Sequence, residues 1–140
     1  MLKRLAARIR RLHTRIRSRR QGRTGTAYTL TYDSAGLQLS WLTLENETGR
    51  SSCGWDQVQS IFVYKRDLYV TDLICAVFVI SSTEAIEVHE EMAGWQPLVE
   101  SLPEHLPGSA PFATWWQAVA VPAFAPNARV IYQRSPPPAV

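Results

Sequence analysis

Cysteine is scarce in this chain of 140 residues, with Cys53 and Cys75 its only two. Two are too few for a disulfide framework. Cys75 lies inside the apolar run from Leu73 to Ile80, where a buried, reduced thiol is expected. Long apolar stretches are missing as well. A membrane-spanning helix needs about 20 consecutive apolar residues, and the run from Leu73 to Ile80, with its β-branched side chains, suits a buried strand instead. No secretory signal precedes the cysteines, so the expectation is a cytoplasmic protein without a transmembrane segment.

Catalytic motifs are equally sparse. The chain has no Cys-x-x-Cys, no Gly-x-Ser-x-Gly and no Gly-rich phosphate loop. His89-Glu90-Glu91 lacks the second histidine that would put two imidazoles on one face of a zinc-protease helix, and His13 and His105 are remote from it in the chain. A solvated acidic helix entrance is the expected role of that triplet. Asp67 and Asp72 form a carboxylate pair on paper, with nothing in the sequence to shift a pKa. Cys53, next to Gly54 and expected at a loop tip, is the one thiol placed to act as a nucleophile. The expectation is a non-enzymatic protein with no cofactor, no metal and no small-molecule substrate.

Acid is absent where base is abundant. Residues 1–23 carry ten cations and no carboxylate, whereas the rest of the chain carries five cations against all twelve carboxylates, a net of −7. The overall +3 therefore joins a basic segment to an acidic body, and an anionic partner is expected for the segment alone. Leu2, Leu5, Ile9, Leu12 and Ile16 recur at helical spacing, so residues 1–23 read as an amphipathic basic helix with Lys3, Arg4, Arg8, Arg11, Arg15 and Arg19 as anion-binding candidates. Two glycines close it, giving a linker at 24–27, a folded body at 28–134 and a frayed Pro-rich end at 135–140.

The body has a globular composition, 46% apolar with five Trp and five Tyr, and one hydrophobic core is expected. Tyr28, Leu30 and Tyr32, then Leu37, Leu39 and Trp41, alternate on either side of Asp33-Ser34-Ala35-Gly36, the mark of a β-hairpin. Residues 45–52 offer nothing apolar to bury and read as a loop. Val58–Tyr64, Leu73–Ile80 and Ala85–His89 read as three further strands, separated by turns at Lys65-Arg66-Asp67 and Ser81–Glu84, with Leu68-Tyr69-Val70 belonging to a flanking strand.

Trp95, Leu98, Val99 and Leu102 then fall at helical spacing, with Gly94 before the helix, Pro97 in its first turn and Pro103 and Pro107-Gly108 to end it. Thr114 reads as the N-cap of a second helix stopped by Pro122, and Val130-Ile131-Tyr132 as a last short strand. Strands followed by helices make an α+β domain, with about five antiparallel strands and the helices on one face or one end of the sheet.

The stretch from Trp55-Asp56-Gln57-Val58 through Ile86-Glu87-Val88 to Gly94-Trp95 resembles bacterial pleckstrin-homology-like domains, in which a Trp-Asp-x-Val-type motif opens a strand; the resemblance implies a bent antiparallel sheet closed by a C-terminal helix. Tyr64–Tyr69 and Glu87–Glu91 with Gly94-Trp95 also resemble small bacterial proteins, some of them immunity-like. The resemblance covers residues 27–107 and implies a binding protein, with no functional residue to carry over.

Trp115 and Trp116, adjacent on a helix and about 100° apart, cannot both enter one core, so they are interface candidates along with Lys65 and Arg66, the body's one basic cluster. Two functions compete. One is a toxin-neutralising or similar interaction protein whose acidic body meets a basic protein. The other is a peripheral membrane adaptor held by residues 1–23. Nucleic acid is the weaker choice for that helix, because a phosphate binder needs no apolar stripe; a segment with no role, or an organelle transit peptide, stays open.

Overall fold

The computed structural model describes residues 26–67, 72–121 and 127–134. The basic N-terminal segment with its six anion-binding candidates, Leu68-Tyr69-Val70 and the Pro-rich end lie outside these residues. The fold is α+β, with two antiparallel sheets and two helices.

The first sheet is a meander of β1 (Ala27–Tyr32), β2 (Gly36–Leu42) and β3 (Thr48–Gly54). The β1–β2 hairpin stands as read, its turn held by the Asp33 carboxylate, which accepts from the amides of Ala35 (2.8 Å) and Gly36 (3.1 Å). The loop expected at residues 45–52 is corrected. Only a short turn with Asn46 in the left-handed region separates β2 from β3, and Arg50, Ser51 and Ser52 lie within a strand paired to β2 from Thr48 to Gly54. A strand at the sheet edge needs backbone partners more than apolar side chains. Gly49 sits opposite Trp41 so closely that a Cβ there would lie 2.2 Å from the indole, so the Trp41 ring covers the bare glycine.

A single 3-10 turn (Trp55–Gln57) leads into the second sheet, where β4 (Ser60–Asp67), β5 (Asp72–Val79), β6 (Ala85–His89) and β7 (Arg129–Gln133) stand in the order β6-β5-β4-β7. The Arg134 guanidinium ties the chain's return to that turn, donating to the carbonyls of Val58 and Trp55, each at 2.9 Å. Lys65-Arg66-Asp67 is not a turn. The three residues complete β4, each opposite a residue of β5.

Between β6 and β7 come α1 (Trp95–His105) and α2 (Phe112–Ala120). α1 runs through Pro103 to His105 and stops just before Pro107-Gly108, so of the two expected stops only the second ends it. α2 begins one turn earlier than Thr114 suggested: Pro111 is its N-cap, and the Thr114 hydroxyl bonds back to the Pro111 carbonyl at 2.6 Å. His89-Glu90-Glu91 is no helix entrance, since His89 ends β6 and Glu90 and Glu91 lie in the turn before α1.

Apolar packing divides in two, where one core was expected. The larger cluster joins Leu30, Leu37 and Leu39 of the first sheet to Ile61, Val63, Ala76, Phe78, Ile86 and Val88 of the second, and adds Leu98, Val99 and Leu102 of α1 with Trp115 and Val119 of α2. The smaller lies on the opposite face of the second sheet, with Phe62, Tyr64, Leu73, Cys75, Val77 and Val79. Alternation along β4 and β5 sends even and odd positions to these two faces. β5 is therefore buried on both sides, which accounts for its unbroken apolar run.

Candidate functional site

Where β4 and β6 end and β5 begins, beside the helices, the chain builds a groove of about 600 Å³. Its floor begins with Glu90. The Glu90 amide donates to the Ile74 carbonyl and its carboxylate accepts from the Ile74 amide, both at 3.0 Å, so the turn after β6 is clamped to β5. Met92 buries its side chain beneath the turn, and Gly94, at φ 95°, swings the chain into α1. A side chain at Gly94 would meet the Leu30 carbonyl oxygen at 2.6 Å. The glycine thus serves two ends: the left-handed conformation and the close approach of α1 to the first sheet.

The other wall comes from α2. Trp115 turns into the core at 3% exposure, while Trp116 remains 38% exposed. Phe112 bridges the two indoles, edge-on to Trp115 (5.0 Å between ring centres) and parallel to Trp116 (6.2 Å, 17°). Phe112 and Trp116 both line the groove. The sequence expectation that one tryptophan would be buried and its neighbour exposed holds.

Lys65 also lines the groove, from beneath. Its ammonium donates to the Ala120 carbonyl at 2.7 Å and pairs with Asp72 at 3.3 Å, with only 2% of the side chain accessible. A cation at the last carbonyl of α2 suits the negative end of the helix dipole. Lys65 is thus built into the scaffold under the groove, where it neutralises Asp72, and the exposed carboxylate of the groove is Glu90.

Arg66 goes elsewhere. Adjacent strand positions face opposite sides, so Arg66 lies on the other face of the second sheet, 2.7 Å from Glu87 and 3.0 Å from the Tyr64 hydroxyl. Tyr64 in turn donates to the second Glu87 oxygen. Burial, then the nearby Cys75 and Glu87, push the Tyr64 phenol well above its usual range. Burial disfavours the Arg66 charge, yet Glu87, Cys75 and Tyr64 together more than offset it and raise the guanidinium's pKa. The structure separates Lys65 from Arg66 and joins Lys65 with Trp116.

Cys53 is not at a loop tip. It lies in β3, 5% exposed, and burial pushes its thiol up to about 11, so almost none is thiolate at neutral pH. His105 stacks on Trp55 (4.7 Å, 9°) and meets Tyr32 edge-on, and His89 meets Tyr28 edge-on. Among the described residues no three His, Cys, Asp or Glu side chains gather as metal ligands do, and no helix is long and apolar enough to cross a membrane.

Sequence reasoning missed Phe112, Asp72 and Glu90 as groove residues. A helical wheel from Phe112 would have placed it beside Trp116, four positions on. Nothing local marks Asp72 or Glu90, which reach the groove through strand pairing. No protein family, curated protein or solved structure matches the chain.

Proposed function

We infer that this is a non-enzymatic interaction domain that binds a basic segment of another protein in the groove between the start of α1 and α2. The observation that carries this reading is the exposed Trp116, held parallel to Phe112 at the edge of a groove that also presents the exposed Glu90. An indole face attracts a Lys or Arg head group, the Glu90 carboxylate complements its charge, and the apolar walls accept the aliphatic stem. The net −7 of residues 24–140 would speed the approach of a cationic partner. Neutralisation of a basic toxin is one activity of this kind.

The pleckstrin-like reading of the fold draws support from the order of three antiparallel strands, then β4, β5 and β6, then α1. α2 and β7 stand outside that order, and α2 supplies the groove's aromatic wall.

Selection of random peptides displayed on phage against the full chain tests the function. Enriched sequences should place Lys or Arg next to an apolar residue and should be lost against Trp116→Ala. Enrichment of acidic sequences, or equal recovery on the variant, would sink the reading.

A further inference from the structure

In an antiparallel ladder, residues whose amide and carbonyl face the partner strand alternate with residues whose groups face away from it. At the two ends of the β2–β3 ladder, the Thr43 amide donates to the Glu47 carbonyl (2.8 Å) and the Trp55 amide to the Ala35 carbonyl (3.0 Å). These bonds fix the phase. Gly49, Ser51 and Cys53 turn their backbone toward β2, and Thr48, Arg50, Ser52 and Gly54 turn theirs outward. β3 is the last strand of its sheet. The Gly54 amide goes to the Gln57 side chain at 2.8 Å, whereas the amides and carbonyls of Thr48, Arg50 and Ser52 have no partner among the described residues, and all three residues are exposed. Proteins usually blunt such an edge with a proline or a bulge. β3 has neither, since its register with β2 is unbroken from Thr48 to Gly54.

We propose that the open edge of β3 pairs antiparallel with the same edge of a second copy of this chain, about a two-fold axis at Ser51, so that the first sheets of the two copies become one. Outward-facing residues must meet outward-facing residues, so the axis passes through a residue and not between two. Pairing centred on Arg50 sets like charges face to face, which is destabilising. Pairing centred on Ser52 engages only the last part of the strand. Pairing centred on Ser51 engages all seven residues, Thr48 of one copy against Gly54 of the other and Arg50 against Ser52. Only two small Ser51 side chains then meet at the axis.

Charge selects the same register. Arg50 is exposed and has no salt-bridge partner among the described residues. Across the axis it lies opposite Ser52 of the other copy, on the same sheet face, and diagonal to Gly54, within reach of a long side chain. Ser52 and Gly54 line a hollow of about 350 Å³ together with Gln38 and Gln57. The exposed Asp56 carboxylate lies against Gly54, 2.5 Å from where a Cβ would stand. The guanidinium of each copy thus pairs with Asp56 of the other. A foreign extended segment would need its own cation at that position; a second copy supplies one, and the symmetry satisfies both ends at once. This edge belongs to a different sheet from the groove strands and stands whether or not the groove binds a peptide.

Sedimentation equilibrium of the full chain tests the pairing, and the native protein should show a reversible monomer–dimer equilibrium. Ser52→Pro removes an outward amide while leaving the bonds to β2 intact, and Arg50→Glu sets a carboxylate against Asp56. Each should weaken the dimer by about tenfold or more at an unchanged thermal midpoint. Adding Asp56→Arg to Arg50→Glu should restore it. A monomer at every concentration overturns the proposal, whatever foreign segment the edge then accepts. So does a dimer that either substitution leaves at full strength, or a charge exchange that restores nothing. Should Ser52→Pro unfold the chain, a disulfide decides. In a Cys53→Ser background, Ser51→Cys lies at a closely spaced pair, with Cα atoms about 4.5 Å apart across the axis, and should link two copies on mild oxidation, whereas Thr48→Cys should not. Equal linking by both, or by neither, overturns the proposal.

Discussion

The Glu87 carboxylate, with none of its side chain accessible, is 2.7 Å from the Arg66 guanidinium, and the pair sits on the sheet face opposite the main core. A buried carboxylate keeps its charge only while its partner is present. Arg66→Leu leaves Glu87 uncompensated and should cost about 3 kcal/mol, toward the low end for a buried pair because the Arg66 side chain is 30% accessible. The double variant Arg66→Leu with Glu87→Leu should recover most of the loss. Urea denaturation of the two proteins gives the comparison, and an equal cost for both would show that the pair is not coupled.

Lys65, one position earlier, behaves differently because it joins elements distant in sequence. Lys65→Met removes both the ion pair to Asp72 and the hydrogen bond to Ala120. The expected cost is about 3 kcal/mol, with amide exchange quickening first in the last turn of α2. Uniform exchange acceleration through the domain would contradict the local role.

Gly94 and Gly108 both have positive φ, 95° and 93°, but only Gly94 is crowded, with the Leu30 carbonyl 2.6 Å from a would-be Cβ. Gly108→Ala should cost about 1 kcal/mol from backbone strain alone, and Gly94→Ala about 2 kcal/mol or more. Denaturant midpoints of the two variants separate strain from close approach.

Cys53 makes stability sensitive to alkali. Burial raises its thiol from 9.0 to about 11, so above pH 9 the unfolded chain releases a proton that the native state retains. The stabilisation is whole below pH 9 and is lost as pH rises through about 11. Between these limits the native protein should lose on the order of 2 kcal/mol more than Cys53→Ala does. Parallel stability profiles for the two would contradict this. Tyr64, raised as well, is present in both proteins and cancels in the comparison.

How much of this was legible in the sequence depends on whether a residue's role is local. The β1–β2 hairpin, the buried β5 run and the division of labour between Trp115 and Trp116 follow from periodicity over a few residues. β3 was missed because Thr48–Gly54 bears no apolar alternation and owes its existence to its partner β2 and the Trp41 cover over Gly49. Of the two helix stops, Pro107-Gly108 is legible and Pro103 misleads, because Leu98, Val99 and Leu102 anchor α1 in the core just before Pro103.

The site was harder to read, for a related reason. Lys65-Arg66-Asp67 looked like a solvated turn because three charged residues stood together. In β4 the first two face opposite ways, and each finds a carboxylate supplied by another strand, Asp72 or Glu87. Those pairings depend on register between strands, which short-range pattern does not reveal. Glu90 reached the groove by the same route, through its clamp on Ile74.

Calorimetric titration of one enriched peptide into the full chain and into Trp116→Ala measures what Trp116 contributes at the edge of the groove for a basic segment. Trp116 is 38% exposed, so its removal should leave the thermal midpoint nearly unchanged while weakening the peptide by about 2 kcal/mol, roughly thirtyfold. Equal affinity for the two proteins, at equal stability, would contradict the account.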